Sequence, residues 1–417
     1  MKQLFLTTFT ALLGFQTLTL SAQTDCSGNR YFNEIFSGYT LTSDVQYGAN
    51  IGVDFQNVNL LLDIYQPQGD TETNRPLIIL AHGGSFISGS KTLDNAVVEL
   101  CQRFARMGYV TVSMNYRLES ALNVLLSSNR EKTFMEIVFR AVQDQKAAIR
   151  YFRKSVAEDG NPYGINPNII IIGGSSAGGV LSLHTSYLDD PSEVPPIIDT
   201  TAIGGGMEGL SGNPGYSSLP QAVINLCGAV GDTAWLHNGN IPVVSVHGDV
   251  DGTVPCYADT AKPMGLPITL VYGSDPLHKR ANNQSIPNAV KIFYGQDHVP
   301  YQGNSTYMDS TVTVVKTFLH DLICNQALSN PSLEYPLQVQ LFPNPAHNEL
   351  RIRLSDKFEG GMLEVLDITG KQIISRIIHA GTSDYQINEV SQWVSGYYLV
   401  RLSGPQGTKT LKLLVNH

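Results

Sequence analysis

Four consecutive isoleucines, Ile169-Ile170-Ile171-Ile172, run directly into Gly173-Gly174-Ser175-Ser176-Ala177-Gly178-Gly179. An unbroken apolar run of this length, bounded by glycine, reads as a buried strand. The glycines end that strand in a crowded turn, where a Cβ would collide with the neighbouring strand and helix. The residues that follow are helix-competent. Strand, tight turn and helix lift the Ser176 hydroxyl above the sheet, as a G-x-S-x-G turn does for a nucleophile. In a chain with 38 glycines the pattern alone is weak, so its meaning depends on partners elsewhere.

The partners are present. Pro76 to Ala81 reads as a buried strand and enters His82-Gly83-Gly84-Ser85-Phe86. Acyl transfer passes through a tetrahedral oxyanion that needs preorganised N–H donors. A Gly-Gly loop brings bare backbone to such an oxygen. Gly83 and Gly84 are therefore candidate donors, with Ala177, the residue after the serine, as a third. Ile241 to Val246 is a further strand and leads into His247-Gly248-Asp249-Val250-Asp251-Gly252-Thr253-Val254-Pro255. Val290 to Tyr294 leads into Gly295-Gln296-Asp297-His298. Both place carboxylates and imidazoles at strand C-terminal ends, where ligands meet open α/β sheets. In this reading Ser176 attacks the acyl carbon, His298 takes and returns the proton, and Asp251 orients the imidazole. Asp249 is the rival acid and is assigned to shaping the turn. Asp297 is read as a loop residue, and His82 and His247 as braces for their loops.

Together with Asn115-Tyr116-Arg117-Leu118 after another strand, these motifs resemble the carboxylesterase branch of the α/β-hydrolases. The nearest groups are the hormone-sensitive-lipase-like and acetylxylan/feruloyl-esterase-like ones. The likeness covers about residues 40–325. The order Ser176, Asp251, His298 is that of this fold, not that of chymotrypsin or subtilisin. Two positions depart from it. Ser85 stands where many relatives carry a third glycine, and Ser175 where many carry an acidic or bulkier residue. Type-B carboxylesterases are similar around HGG and SAGG but usually use a glutamate acid. These departures leave the reaction class intact and bear on the substrate.

The ends of the chain differ from its middle. Residues 1–22 read as a secretory signal: Lys2, a largely apolar core from Leu4 to Leu20, and a small-residue region at Ser21-Ala22-Gln23. Cys26 lacks the small, apolar residues expected before a lipidated cysteine. The catalytic domain is expected over 23–325 and a polar, Pro-containing linker over 326–337. In 338–417, short alternating runs separated by Gly, Asn and Asp suggest a small β-sandwich. This tail resembles the sorting domain of the type IX secretion system. The likeness rests on Phe342-Pro343-Asn344-Pro345, Gly396-Tyr397-Tyr398-Leu399-Val400 and Lys412-Leu413-Leu414-Val415. It implies export through periplasm and outer membrane, and a secreted or cell-surface protein. A carbohydrate-binding or spacer module is the alternative reading of the tail.

Between the motifs, strands and helices alternate, which predicts an α/β fold: a mostly parallel sheet with helices on both faces. Apolar residues from Phe134 to Phe152 keep the spacing of an amphipathic helix. Arg117 and Asp144 are read as structural rather than site residues, each a buried charge held by partners. Residues 186–220 carry little strand or helix signal and fit a lid or binding loop. Ser85, Phe86, Trp235 and Tyr301 adjoin the candidate loops and are substrate-binding candidates. The net charge of −9 argues against a nucleic-acid partner or an electrostatic membrane anchor. Neither C-x-x-C nor H-E-x-x-H spacing occurs, so no metal or cofactor is expected. Five cysteines are an odd count for an exported chain. Cys227 and Cys256 flank the acid loop and are candidates for a pair. The expected function is a secreted serine esterase that cleaves extracellular carboxylic esters through an acyl-enzyme. Expected substrates are acetyl or feruloyl esters of polysaccharides, polyesters or small esters; the expected protein partner is the type IX secretion machinery. The rivals are a peptidase of the same fold and a non-catalytic adhesion module.

Overall fold

Every residue of the strand Arg75–Ala81 is buried, and so is the 169–175 portion of Ile165–Ser175. Strand alternation sends Leu77, Ile79, Ile170 and Ile172 into one core. Ile78, Leu80, Ile169 and Ile171 go into a second. A sheet with a core on each face needs helices on each face, and the chain supplies them.

The computed structural model describes residues 24–53, 55–200, 202–237, 239–325, 339–354, 360–367, 371–379, 381–404 and 407–417. The expected signal segment and linker lie outside these residues. In chain order the elements of the first unit are β1 (Tyr39–Ile51), β2 (Asn57–Pro67), β3 (Arg75–Ala81), α1 (Asn95–Arg106), β4 (Val110–Met114), α2 (Ala121–Leu126), α3 (Arg130–Glu158), β5 (Ile165–Ser175), α4 (Ala177–Tyr187), β6 (Ala222–Leu226), β7 (Val243–Gly248), β8 (Ala258–Thr260), β9 (Leu270–Tyr272), α5 (Ser274–Asn283), β10 (Asn288–Phe293) and α6 (Ser305–His320). The eight-stranded sheet runs β1-β2-β4-β3-β5-β6-β7-β10. β1 and β2 form an antiparallel edge, and β2 pairs antiparallel with β4. All other neighbours are parallel. β8 and β9 form a separate short hairpin beyond the acid loop.

α3, α4 and α5 cover the first face through Val142, Ile149, Leu181 and Leu277. α1 and α6 cover the second through Val97, Leu100, Phe104, Val312 and Val315. Helix starts are locally encoded. The Asp94 side chain accepts the Val97 N–H ahead of α1, and Asn129 accepts that of Lys132 ahead of α3, caps worth about 1 kcal/mol each. The Asn129 cap starts α3 four residues before the expected Phe134.

The cysteine pairing differs from the expectation. Cys26 and Cys324 form the disulfide, whereas Cys101, Cys227 and Cys256 are free and buried. The Cys227 sulfur has Asp251 and His298 as neighbours, within 4.8 Å of a ligand atom of each. Cys256 is instead held beside α5, its carbonyl accepting the Asp275 N–H.

The chain divides into two units, Met1–Leu328 and Ser329–His417. The second is all-β: β11 (Gln340–Phe342), β12 (Leu350–Arg353), β13 (Gly361–Asp367), β14 (Gln372–Ile378), β15 (Asp384–Ile387), β16 (Gly396–Gly404) and β17 (Gly407–Val415). A three-stranded sheet β11-β12-β15 and a four-stranded sheet β14-β13-β16-β17 share one core, where Leu350 and Ile352 meet Leu363, Val365, Val400 and Leu413. No helix among the described residues is long and apolar enough to cross a membrane.

Candidate active site

The C-terminal ends of β3, β5, β6, β7 and β10 converge on one serine. Ser176 sits between β5 and α4 at φ 55°, ψ −115°, a left-handed conformation that a non-glycine residue holds only under external constraint. Its N–H donates to Leu226 O at 2.7 Å. The flanking glycines supply the space: an added Cβ would lie 2.4 Å from Ala81 O at Gly174 and 2.1 Å from it at Gly178. Elbow and β3 therefore touch through bare backbone.

Ser176 Oγ lies 2.7 Å from His298 Nε2, and His298 Nδ1 lies 2.6 Å from Asp251 Oδ2. Nδ1 faces a carboxylate, so it carries the imidazole proton, and Nε2 accepts from the serine hydroxyl. Asp251 Oδ1 accepts the N–H groups of Thr253 and Val254, both at 2.9 Å. His247 Nε2 stands 3.2 Å from Asp251 Oδ2 and 2.9 Å from Val254 O. Both neighbours are acceptors, so Nε2 is protonated and Nδ1 accepts from Ser274 Oγ at 2.8 Å. Burial alone pushes Asp251 up, but the hydrogen bonds from His247 and His298 outweigh it and hold the carboxyl at about 2. The arrangement sets the His298 imidazole between a serine hydroxyl and a fixed negative charge.

The HGG loop passes directly over the serine: a Cβ on Gly83 would stand 3.3 Å from Ser176 Cβ. One expected donor is corrected here. The Gly83 N–H is already committed, donating to Asp94 Oδ2 at 2.8 Å. Among the described residues the N–H groups of Gly84 and Ala177 carry no protein acceptor; Ala177 opens α4, whose first amides the helix leaves free. Asp94 thus caps α1 with one oxygen and anchors the loop with the other. Its capping role is legible as an Asp before an amphipathic run; its bond to Gly83 is not.

Of the substrate-binding candidates, only Ser85 keeps a partly exposed place on this loop, at φ 56°. The other three are core residues. Phe86 is 1% exposed and packs on Tyr116 and Phe134. Trp235 is 8% exposed and stands edge-on to His184 of α4. Tyr301 is fully buried, and its hydroxyl meets Ser175 Oγ at 2.7 Å. The departure at Ser175 therefore has a physical partner, a hydroxyl pair beside the Ser176 turn.

His82 braces its loop as expected from sequence: Nδ1 donates to Gly83 O at 2.6 Å, and the ring stacks on Tyr116 at 4.4 Å. Asp249 accepts the Gly295 N–H. Asp297 does more than fill a loop, since one oxygen accepts the N–H groups of Gly252 and His298 and ties the acid loop to the histidine loop. Arg117 and Asp144 form a buried pair at 2.9 Å, with Ser211 Oγ donating to the same carboxylate at 2.6 Å. Residues 206–219 are clamped on α3: Gln143 bonds Gly206 O, Arg150 bonds Glu208 and Gly212 O, and Arg153 bonds the Ser217 and Leu219 carbonyls. This part of the expected lid is fastened to a helix by polar contacts.

Residues 62–202 match the BD-FAE family model, and residues 340–416 match the Secretion system C-terminal sorting domain. Carboxylesterase 3B of Mus musculus is 30% identical over 29% of this chain and 19% of that protein. Phenmedipham hydrolase of Pseudarthrobacter oxydans is 32% identical over 28% of this chain and 21% of that protein. The chain thus spans about a fifth of the length of these curated relatives. Among solved structures, the propionate-bound esterase Est2 of Thermogutta terrifontis is 22% identical, with 69% of this chain and 95% of that one covered and a TM-score of 0.47. The fold is that of the α/β-hydrolases, followed by a small all-β unit. The tail match marks the chain for type IX export to the cell surface or the extracellular space.

Proposed function

We propose that this protein is a secreted serine carboxylesterase that works through an acyl-enzyme formed on Ser176. The observation that carries the proposal is the continuous hydrogen-bonded chain Ser176–His298–Asp251 beside two unoccupied backbone N–H groups.

In acylation, Ser176 Oγ attacks the ester carbon while its proton passes to His298 Nε2. The imidazolium is stabilised by Asp251, whose charge is held by Thr253, Val254 and His247. Negative charge developing on the carbonyl oxygen is received by the N–H groups of Gly84 and Ala177. Collapse of the tetrahedral intermediate expels the alcohol, which takes the proton from Nε2. Water repeats the sequence on the acyl-enzyme and releases the acid. Removal of one oxyanion donor in such a site costs about 10²–10³ in turnover.

The secretion route and the esterase likeness of residues 62–202 favour extracellular esters as substrates. These are acetyl or feruloyl groups on plant polysaccharides, polyesters or small esters. Engagement of the tail by the type IX secretion machinery belongs to the same proposal.

The test is turnover of p-nitrophenyl esters from acetate to decanoate by the full chain and by Ser176→Ala. Short esters are expected to turn over, and the variant to lose at least about 10³-fold in kcat/KM with its circular dichroism unchanged. A folded Ser176→Ala that keeps wild-type turnover would remove the nucleophile assignment and bring the peptidase and adhesion readings forward.

A further inference from the structure

One buried nucleophile near the site has no part in the mechanism above. Cys227 follows β6 directly and takes a left-handed conformation, φ 54°, at full burial. That conformation favours glycine, and a cysteine held there is fixed by its surroundings. Its N–H donates to Val246 O at 2.8 Å. Its sulfur lies beside Asp251 of the acid loop and His298 of the histidine loop. One ligand atom each from Cys227, Asp251 and His298 lies within 4.8 Å of the other two.

We propose that Cys227, His298 and Asp251 form an inhibitory site for a soft or borderline divalent cation, Zn²⁺ or Cd²⁺. The proposal rests on the serine-esterase reading for its effect on activity, but not for the binding itself. A sulfur, an imidazole nitrogen and a carboxylate oxygen are the donor set that such ions prefer, and that Mg²⁺ and Ca²⁺ do not. Around a tetrahedral zinc these donors stand about 3.3–3.6 Å apart. The three donor atoms lie within 4.8 Å of one another, so small side-chain shifts bring them to this spacing, and the 2.6 Å His298–Asp251 contact must open to admit the ion. The entry side is the His298 ring, whose side chain is 18% exposed.

Binding balances as follows. The Cys227 thiol loses its proton to solvent and coordinates as thiolate. His298 Nδ1 exchanges its proton for the cation, and the imidazole carries that proton on Nε2 instead. Asp251 Oδ2 turns from hydrogen-bond acceptor to ligand, and water fills the fourth position. No electron is transferred. An Nε2–H donates to Ser176 Oγ and cannot accept its proton, so the general base is lost while the fold stays intact.

The test titrates the metal-free full chain with Zn²⁺, Cd²⁺, Mg²⁺ and Ca²⁺ during p-nitrophenyl acetate turnover. Zn²⁺ and Cd²⁺ are expected to inhibit reversibly, with activity restored by EDTA, while Mg²⁺ and Ca²⁺ do nothing. Cys227→Ser, and Cys227→Gly as a variant suited to the left-handed backbone, are expected to retain turnover and to need about 100-fold more Zn²⁺ for half-inhibition. His237→Ala, in the exposed Asp189–Glu193–His237 group, is expected to behave as wild type. Binding is read separately in Ser176→Ala by the thiolate-to-cobalt charge-transfer absorption of added Co²⁺, which Cys227→Ser abolishes. Zn²⁺ inhibition that persists in both Cys227 variants, or Co²⁺ bound without that absorption, overturns the proposal. If the chain has no Ser176-dependent turnover, the esterase reading fails, and the cobalt absorption alone decides this one.

Discussion

At the scale of single residues, one proton on one nitrogen decides whether the site can work. Asp251 has every oxygen lone pair directed at a donor: two backbone amides on Oδ1, two imidazoles on Oδ2. Asp251→Asn keeps the shape but presents an N–H₂ or a neutral oxygen to His298 Nδ1. The imidazole then favours the Nε2–H tautomer and loses its capacity to accept from Ser176. A loss of about 10⁴-fold in kcat is expected, with thermal stability nearly unchanged, measured on p-nitrophenyl acetate. A second residue couples protons to stability. His278 is buried on α5, donates through Nδ1 to Asn288 Oδ1 at 2.8 Å and leaves Nε2 unpartnered. Burial pushes it from 6.5 down to about 4. The unfolded chain therefore binds a proton between these values that the folded chain refuses. Stability from this group is full above pH 6.5 and falls as pH drops toward 4. Between pH 7 and 5 the loss is about 2 kcal/mol. Urea unfolding at the two pH values checks it: His278→Gln, which keeps a donor for Asn288 and cannot titrate, is expected to lose that much less than wild type.

At the scale of elements, α3 carries a charge into the core, and its partner comes from the strand end beside it. Asp144 is fully buried and receives the Arg117 guanidinium, the Arg117 N–H and the Ser211 hydroxyl. The same guanidinium reaches Ile51 O, Arg140 O, Gln143 and Ser211 Oγ, so it joins β1, α3 and the 206–219 segment. Arg117→Met strands the carboxylate and is expected to destabilise the fold by about 3–5 kcal/mol, whereas Arg117→Met with Asp144→Leu recovers most of that. Chemical denaturation of the two variants measures both. That Arg117 and Asp144 are buried structural charges was legible in the sequence; that they pair with each other and join three segments was not, because those contacts are long-range. The same division runs through the sheet. β3 and β5 contain unbroken apolar runs, and β6 and β7 are mostly apolar with Asn225, Ser245 and His247 interspersed; all four were readable as buried strands. β1 was not: its residues are mostly exposed and polar, as an edge strand permits, and two register shifts interrupt its pairing. In the tail, β11 and β15 are three and four residues long, too short for a period-2 pattern to show. Within the site, each strand end announced its chemistry through residue type. Which N–H remained free at the HGG loop depended on Asp94, eleven residues away, and no local pattern carries that.

At the scale of the whole molecule, the odd cysteine count resolves into one covalent tie and three thiols inside cores. Cys26 and Cys324 are 298 residues apart and both belong to the first unit. The tie fastens a segment with little structure of its own. After Cys26 the chain makes one short 3₁₀ turn and then docks Tyr31 against Tyr109, its N–H donating to Met107 O. At the other end, Leu319, Leu322 and Ile323 complete the same core. Closing so long a loop restricts the unfolded chain far more than the folded one, where both ends already have packing partners. The double variant Cys26→Ser with Cys324→Ser is expected to lose about 2–4 kcal/mol of stability. Its kcat/KM on short esters at 25 °C is expected to stay within about twofold of wild type, since none of the site contacts involves either end. Urea midpoints and turnover measured on one preparation separate the two effects. A fall in turnover that parallels the fall in stability would place the chain ends in mechanical contact with the site, against the reading that the disulfide serves the persistence of an exported fold.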